Sequence, residues 1–134
     1  MGDFSAIDVS ASGLSAQRRR LDTIAENIAN AETTRTERGG PYRRRQVVFE
    51  EIASRELAQQ GVKVSQVTED ARSPRLVYRP GHPDADANGY VAMPNVSIVE
   101  EMVDMMSATR SYEANAAALN ASKAMARKAL ELGR

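Results

Sequence analysis

Apolar residues recur every seven positions at both ends of the chain. Near the N-terminus Ile7, Leu14, Leu21 and Ile28 form one row. Ala11 and Ala25 fill places four residues on, and Arg18 breaks that second row. The spacing predicts an amphipathic helix from about Phe4 to Ala31, with a heptad-like, alanine-rich seam. Gly13 lies inside it and lowers helix propensity by about 1 kcal/mol against alanine, so softness is expected near the start. Near the C-terminus Met102, Thr109, Ala116, Lys123 and Leu130 form one row, and Met105, Tyr112, Leu119 and Ala126 form its partner three residues on. Ser97 and Glu100 read as a capping box, Pro94 helps set the boundary and Gly133 ends the pattern. A helix of roughly 36 residues at ~1.5 Å each would measure about 50 Å, too long to bury itself in so small a globule. The two helices are expected to pack lengthwise.

The middle of the chain has a different period. The stretches QVVFEE, VKVSQV and PRLVYRP read as short strands, with turns at Gly39-Gly40-Pro41 and Pro80-Gly81. Ser54 to Gly61 fits a short helical turn or a loop, and RPGHPDADANG fits a loop. The expected fold is mainly α with a small β insert. Residues 1–32 and 96–134 would form paired terminal helices in a coiled coil, and residues 33–95 a hairpin-like β region with loops.

Composition narrows the functions available. The chain has 134 residues, with Lys+Arg and Asp+Glu both 18. Zero net charge argues against a protein that lives on phosphate contacts. Aromatic residues are 4% and tryptophan is absent, so the core should be thin. Without cysteine there is no disulfide framework, thiolate nucleophile or cysteine metal site. No stretch approaches the ~20 apolar residues of a spanning helix. The N-terminus MGDFSAIDVSASG lacks the charged and apolar regions of a cleaved signal peptide. By these features alone the protein reads as cytoplasmic.

The candidate chemistry is sparse. Asp84, Asp86, Asn88 and Gly89 fit the opening of a calcium loop, but its twelfth position is Asn95 where a bidentate Glu is needed. A polar turn is the expected reading. His82 is the only histidine and cannot close a zinc site of the usual kind. Phosphate-loop, nucleophile-elbow and dinucleotide patterns are missing, so no enzyme, cofactor or metal is expected. Arg18 to Arg20 and Arg43 to Arg45 suit solvent or a subunit contact better than nucleic acid. Arg18 falls on the inner row, where its stem could cover apolar surface.

Met102, Met105 and Met106 mark an adaptable contact face. Asn27 and Asn30, with Asn115 and Asn120 on the long helix, are polar intrusions that could fix register at some cost in stability. Two helices alone leave much apolar surface open, which neighbouring subunits would have to cover.

These stretches resemble a known family. SASGLSAQRRRLDTIAENIANAETT, from Ser10 to Thr34, is similar to the N-terminal signature of flagellar rod, hook and hook-associated axial proteins. GGPYRRRQVVFEE and the stretch from Tyr78 to Met125 narrow the likeness to the basal-body rod proteins, over nearly the whole chain except Ile52 to Ser73. The resemblance implies a structural subunit of the proximal rod, exported by the flagellar type III apparatus without a cleaved signal. It implies a place in the rod that crosses the periplasm, helical polymerisation through the terminal helices, and part of a torque-transmitting shaft and export channel. The implied partners are copies of itself, other proximal and distal rod subunits and the MS-ring–rod junction protein. No nucleic acid and no membrane insertion are expected.

On this reading Leu14, Leu21, Ile24, Ile28, Met102, Met105, Tyr112 and Leu119 pair helices and subunits. Asn27, Asn30, Asn115 and Asn120 set register, and Arg43, Arg44 and Arg45 form a basic edge towards neighbours. The alternatives are a soluble helical adaptor that never polymerises and a nucleic-acid binder using the arginine runs.

Overall fold

The computed structural model describes residues 2–53 and 60–133; for residues 2–5, 53 and 60 it describes the backbone alone. Helix α1 spans Gly2–Ala29 and helix α2 spans Ile98–Leu132. Between them run β1 (Arg45–Ala53), β2 (Gln60–Glu69), β3 (Arg75–Tyr78) and β4 (Tyr90–Met93). The fold is therefore two long terminal helices around a small β region. The expected helical turn or loop at Ser54 to Gly61 falls mostly outside the described residues; Gln60 and Gly61 open β2.

The strands form two separate antiparallel hairpins, β1–β2 and β3–β4. The β1–β2 register shifts at Val48/Phe49, a bulge that twists the hairpin. Sequence reasoning missed β4, whose partner is β3 with Tyr78 opposite Tyr90. One face of this second hairpin buries Val91 and Met93, while the other leaves Leu76, Tyr78 and Tyr90 exposed. Gly89 closes its turn at φ 83°, where a Cβ would lie 2.8 Å from the Tyr78 ring.

The helices run antiparallel in contact. Asn27 meets Glu101, Arg20 meets Asp104 and Gly13 meets Asn115. α1 passes through Gly13 without interruption. A Cβ there would sit 2.7 Å from Asn115 Oδ1, so the missing side chain lets the two helices approach. At the start of α2, Ser97 Oγ accepts from the Glu100 N–H (3.4 Å), and at its end the Gly133 N–H reaches the Ala129 carbonyl (3.1 Å).

The seam is built from small and polar side chains. On α1 the inward row is Ser10, Gly13, Gln17, Arg20, Ile24 and Asn27; on α2 it is Glu101, Ala108, Asn115 and Ser122. The heptad period expected from sequence is present, but its phase differs by one residue on both helices, with Gly13, Arg20 and Asn27 inward in place of Leu14, Leu21 and Ile28, and Glu101, Ala108 and Asn115 in place of Met102, Thr109 and Ala116. The reason is steric: helices in close approach need small residues between their axes. The bulky Met102 is therefore pushed outward and is 55% exposed. Arg18, expected to lean inward, is exposed as well, and Arg20 takes the inward place.

Candidate functional site

A polar cluster clamps one end of the helix pair. Asn27, 1% exposed, uses all four of its hydrogen-bonding positions. Its Nδ2 donates to the Arg45 carbonyl (2.7 Å) and to Glu101 Oε2 (3.1 Å). Its Oδ1 accepts from the Tyr42 hydroxyl (2.8 Å) and from the Arg45 N–H (2.9 Å). One α1 side chain thus ties the approach to β1, the first strand residue and α2 together. Burial, followed by the nearby Glu26 carboxylate, pushes the Tyr42 hydroxyl up to about 12.

Arg44 is the cationic centre of the same cluster. Glu101 is wholly buried, and the Arg44 guanidinium is its charge partner through Nε. The guanidinium also reaches Asp70 (3.4 Å) and Asp104 (3.3 Å), and the Arg44 N–H donates to Asn95 Oδ1 (2.8 Å). Burial would lower the Arg44 pKa, but the hydrogen bond and charge of Glu101 outweigh it and hold it above the usual value. Arg72 hydrogen bonds hold Asp70 below the usual carboxylate range. Asn95 Nδ2 donates to the Asp70 and Arg72 carbonyls (3.2 and 2.9 Å), which anchors the segment after β2. A fully buried carboxylate is stable only with such partners.

The second feature is an uncovered face. The β1–β2 hairpin lies against Ser12, Ser15, Ala16 and Arg19 of α1, so it covers one side of that helix. At about 100° per residue, Ile7, Leu14, Leu21 and Ile28 point to the opposite side. All four are half-buried, because no described residue covers them there. On α2 the matching side carries Met105 and Leu119, half-buried, and Tyr112, exposed, while exposed Met102 stands further round towards the back of the helix. Ile24 alone of the expected pairing residues is buried inside the seam. Met106 is 61% exposed on the back of α2. The bulky apolar side chains therefore stand outside the seam, and the polar ones within it.

The four asparagines separate. Asn27 is the clamp described above. Asn30 caps its own helix end, donating to the Glu26 carbonyl (2.9 Å) and accepting from Thr33 Oγ1 (3.1 Å). Asn115 presses on Gly13 and donates to the Ser111 carbonyl (2.9 Å). Asn120 is exposed.

The Arg43 to Arg45 run does not lie as one edge. Arg44 points into the clamp, Arg45 pairs with Glu26 (2.9 Å) with its guanidinium carbon 6.0 Å from the Tyr42 ring centre, and only Arg43 is exposed. Alternate residues of an extended segment face opposite ways, which separates neighbours in a run of like charges. Sequence reasoning missed Tyr42, Asp70, Asn95, Glu101 and Asp104. The one sequence feature that could have found Glu101 is its place seven residues before Ala108, in a row of small and polar residues.

The DADANG loop uses its acids locally. Asp84 accepts from Thr34 Oγ1 (2.7 Å) and pairs with Arg35, while Asp86 Oδ1 accepts the Asn88 and Tyr90 N–H groups (2.9 Å each). His82 Nδ1 accepts from the Asp84 N–H (3.0 Å). Among the described residues no cluster of His, Asp and Glu is placed to hold a metal ion, and no helix is long and apolar enough to cross a membrane.

Paired terminal helices with an uncovered apolar face describe a helical subunit built to pack lengthwise against others. Residues 7–35 match the family described as flagella basal body rod protein, and residues 87–132 match the flagellar basal body rod FlgEFG protein C-terminal family. Similar relatives include the flagellar basal-body rod protein FlgC of Salmonella typhimurium, 50% identical over 99% of both chains. That of Bacillus subtilis is 47% identical over 100% of both, and that of Borreliella burgdorferi 45% over 98% of both. The chain belongs to the FlgC family of flagellar basal-body rod proteins. It is a structural rod subunit of the basal body and not an enzyme.

Proposed function

We propose that the chain enters the proximal rod by packing the uncovered face of its helix layer against helices of neighbouring subunits. One observation carries this reading: Leu14, Leu21, Ile28, Met105, Tyr112 and Leu119 line one side of two helices whose seam needs none of them. Neighbours on that face would be further copies, other proximal and distal rod proteins and the MS-ring–rod junction protein. Residues 1–32 and 96–134 act as the axial core, and residues 33–95 as an outer module with exposed Arg43 at its subunit contact. The clamp at Asn27 fixes helix register, with Asn115 against Gly13 as a second pin and Asn30 and Asn120 at the margins. The subunit reaches the periplasm-crossing rod through the flagellar type III apparatus without a cleaved signal, and there it transmits torque around the export channel.

Leu21→Asp and Leu119→Asp test the reading. Each adds a carboxylate that stays hydrated in the free chain and becomes unpaired and buried in a rod. Both variants should be exported, keep wild-type circular dichroism and fail to support motility. Ser73→Ala, on an exposed segment, should swim. Normal motility of Leu21→Asp would refute the assigned face, and loss of its folded signal would favour a self-contained adaptor.

A further inference from the structure

A second apolar surface lies on the hairpin side of the helix layer. Between α1 and the β1–β2 hairpin runs an open groove of about 650 Å³. Ile52, Val62, Val64 and Val67 form its apolar wall, and Ala16 with Ser12 its floor. The hairpin is held to α1 there by the Val62 N–H donating to Ser12 Oγ (3.1 Å). The groove lining also holds exposed Ser15 and Gln66 and two cations, Arg19 and Lys63. Arg19 is exposed and makes no ion pair among the described residues, and Lys63 touches only the exposed Glu50, at 3.5 Å.

The back of α2 offers an apolar ridge. Val99, Met102, Val103 and Met106 make an exposed ridge at helical spacing. Its flanking charges are Glu100, whose only partner among the described residues is Arg72 at 3.6 Å, exposed Arg110 beside Met106, and exposed Glu113 one turn further on, which makes no ion pair among the described residues. Ridge and groove share no residue, so a copy can use both at once. A contact between two different surfaces of one chain does not close on itself; it propagates into a line or helix of copies.

We propose that the α2 ridge of one copy seats in the α1–hairpin groove of a second copy, with Arg19 paired to Glu113 across the contact. This rests on the rod reading above and adds a specific contact between copies. Methionine suits the ridge because its flexible thioether fills an irregular groove. The ion pairs at the rim select the partner's orientation more than they add affinity.

The absence of cysteine makes cross-linking clean. Val64→Cys and Met106→Cys are placed together in the full chain, and purified basal bodies are treated with a short bis-maleimide. Cross-linked dimers and larger species of this chain should form, and neither single variant should give them. In parallel, Arg19→Glu and Glu113→Arg should each lower motility at least tenfold, and the double reversal should restore most of it. Basal bodies that contain the double-cysteine chain but give no cross-link would overturn the proposal and leave the rod reading intact. Should the cysteine chain fail to assemble, charge reversals that are harmless, or that worsen each other when combined, would overturn it equally. Absence of the unmodified chain from purified basal bodies would instead overturn the rod reading itself.

Discussion

Replacing Asn27 with alanine should destabilise this protein more than its modest size suggests. The side chain makes four hydrogen bonds of 2.7–3.1 Å in a site that is 1% exposed. Each contributes about 1 kcal/mol net, and truncation leaves the Arg45 N–H and carbonyl buried beside Glu101 without that partner. The expected loss is about 3–5 kcal/mol, a large share of the ~5–15 kcal/mol that holds a typical domain. Asn30→Ala is the comparison, because its two bonds are local to the end of α1 and it should cost about 1 kcal/mol. Urea titration of the purified chain by far-ultraviolet circular dichroism separates them, with an unchanged slope showing that the unfolded state is unaffected. Asn27→Asp sharpens the test. It would set a second carboxylate where Nδ2 now lies 3.1 Å from Glu101 Oε2. Like charges at that distance raise the folded-state pKa, so the variant should be weaker than alanine at pH 7 and recover as pH falls. An Asn27→Ala loss below ~1 kcal/mol, or one equal to that of Asn30→Ala, would refute the clamp.

Arg44→Met should cost roughly 3–5 kcal/mol by leaving Glu101 buried and unpaired, while exposed Arg43→Ala stays within about 0.5 kcal/mol; thermal melts of the two compare them directly. Gly13→Ala should destabilise despite the gain in helix propensity, since the methyl lands 2.7 Å from Asn115 Oδ1, and adding Asn115→Ala should remove most of the penalty in a double-mutant cycle. Tyr42 is pushed from 10.0 to about 12 in the folded chain. Its contribution is thus complete below about pH 10 and is lost as pH rises towards 12, because the unfolded chain ionises first. Tyr42→Phe should flatten that alkaline slope in urea midpoints measured from pH 9 to 12.

The helices were legible because their signals are local. Ser97, Glu100 and the sevenfold rows mark α2, and the end of α1 falls within two residues of the place its pattern suggests. The phase of the seam was not legible. Glu101, Ala108, Asn115 and Ser122 repeat as regularly as Met102, Thr109, Ala116 and Lys123, and apolar content favours the second row. Packing chose the first, because Gly13 and Ala108 let the axes approach where Met102 could not fit. Nothing local singles out Glu101, because its partner Arg44 lies 57 residues away. β4 is four residues long with only Val91 and Met93 alternating inward, too little pattern to separate from the loop before it.

The mismatch in helix length has a mechanical consequence. With Asn27 opposite Glu101 and Gly13 opposite Asn115, α1 runs out before α2 does, and residues 127–132 project past it. Leu130 and Leu132 on that projection are 74% and 82% exposed. No copy ends flush. Wherever such copies are laid along a common axis, the two helices of a copy break at different heights at the stepped end. A plane drawn across the stack then cuts unbroken helices as well as joints, and twisting strain at that plane falls partly on covalent backbone instead of on side-chain contacts alone.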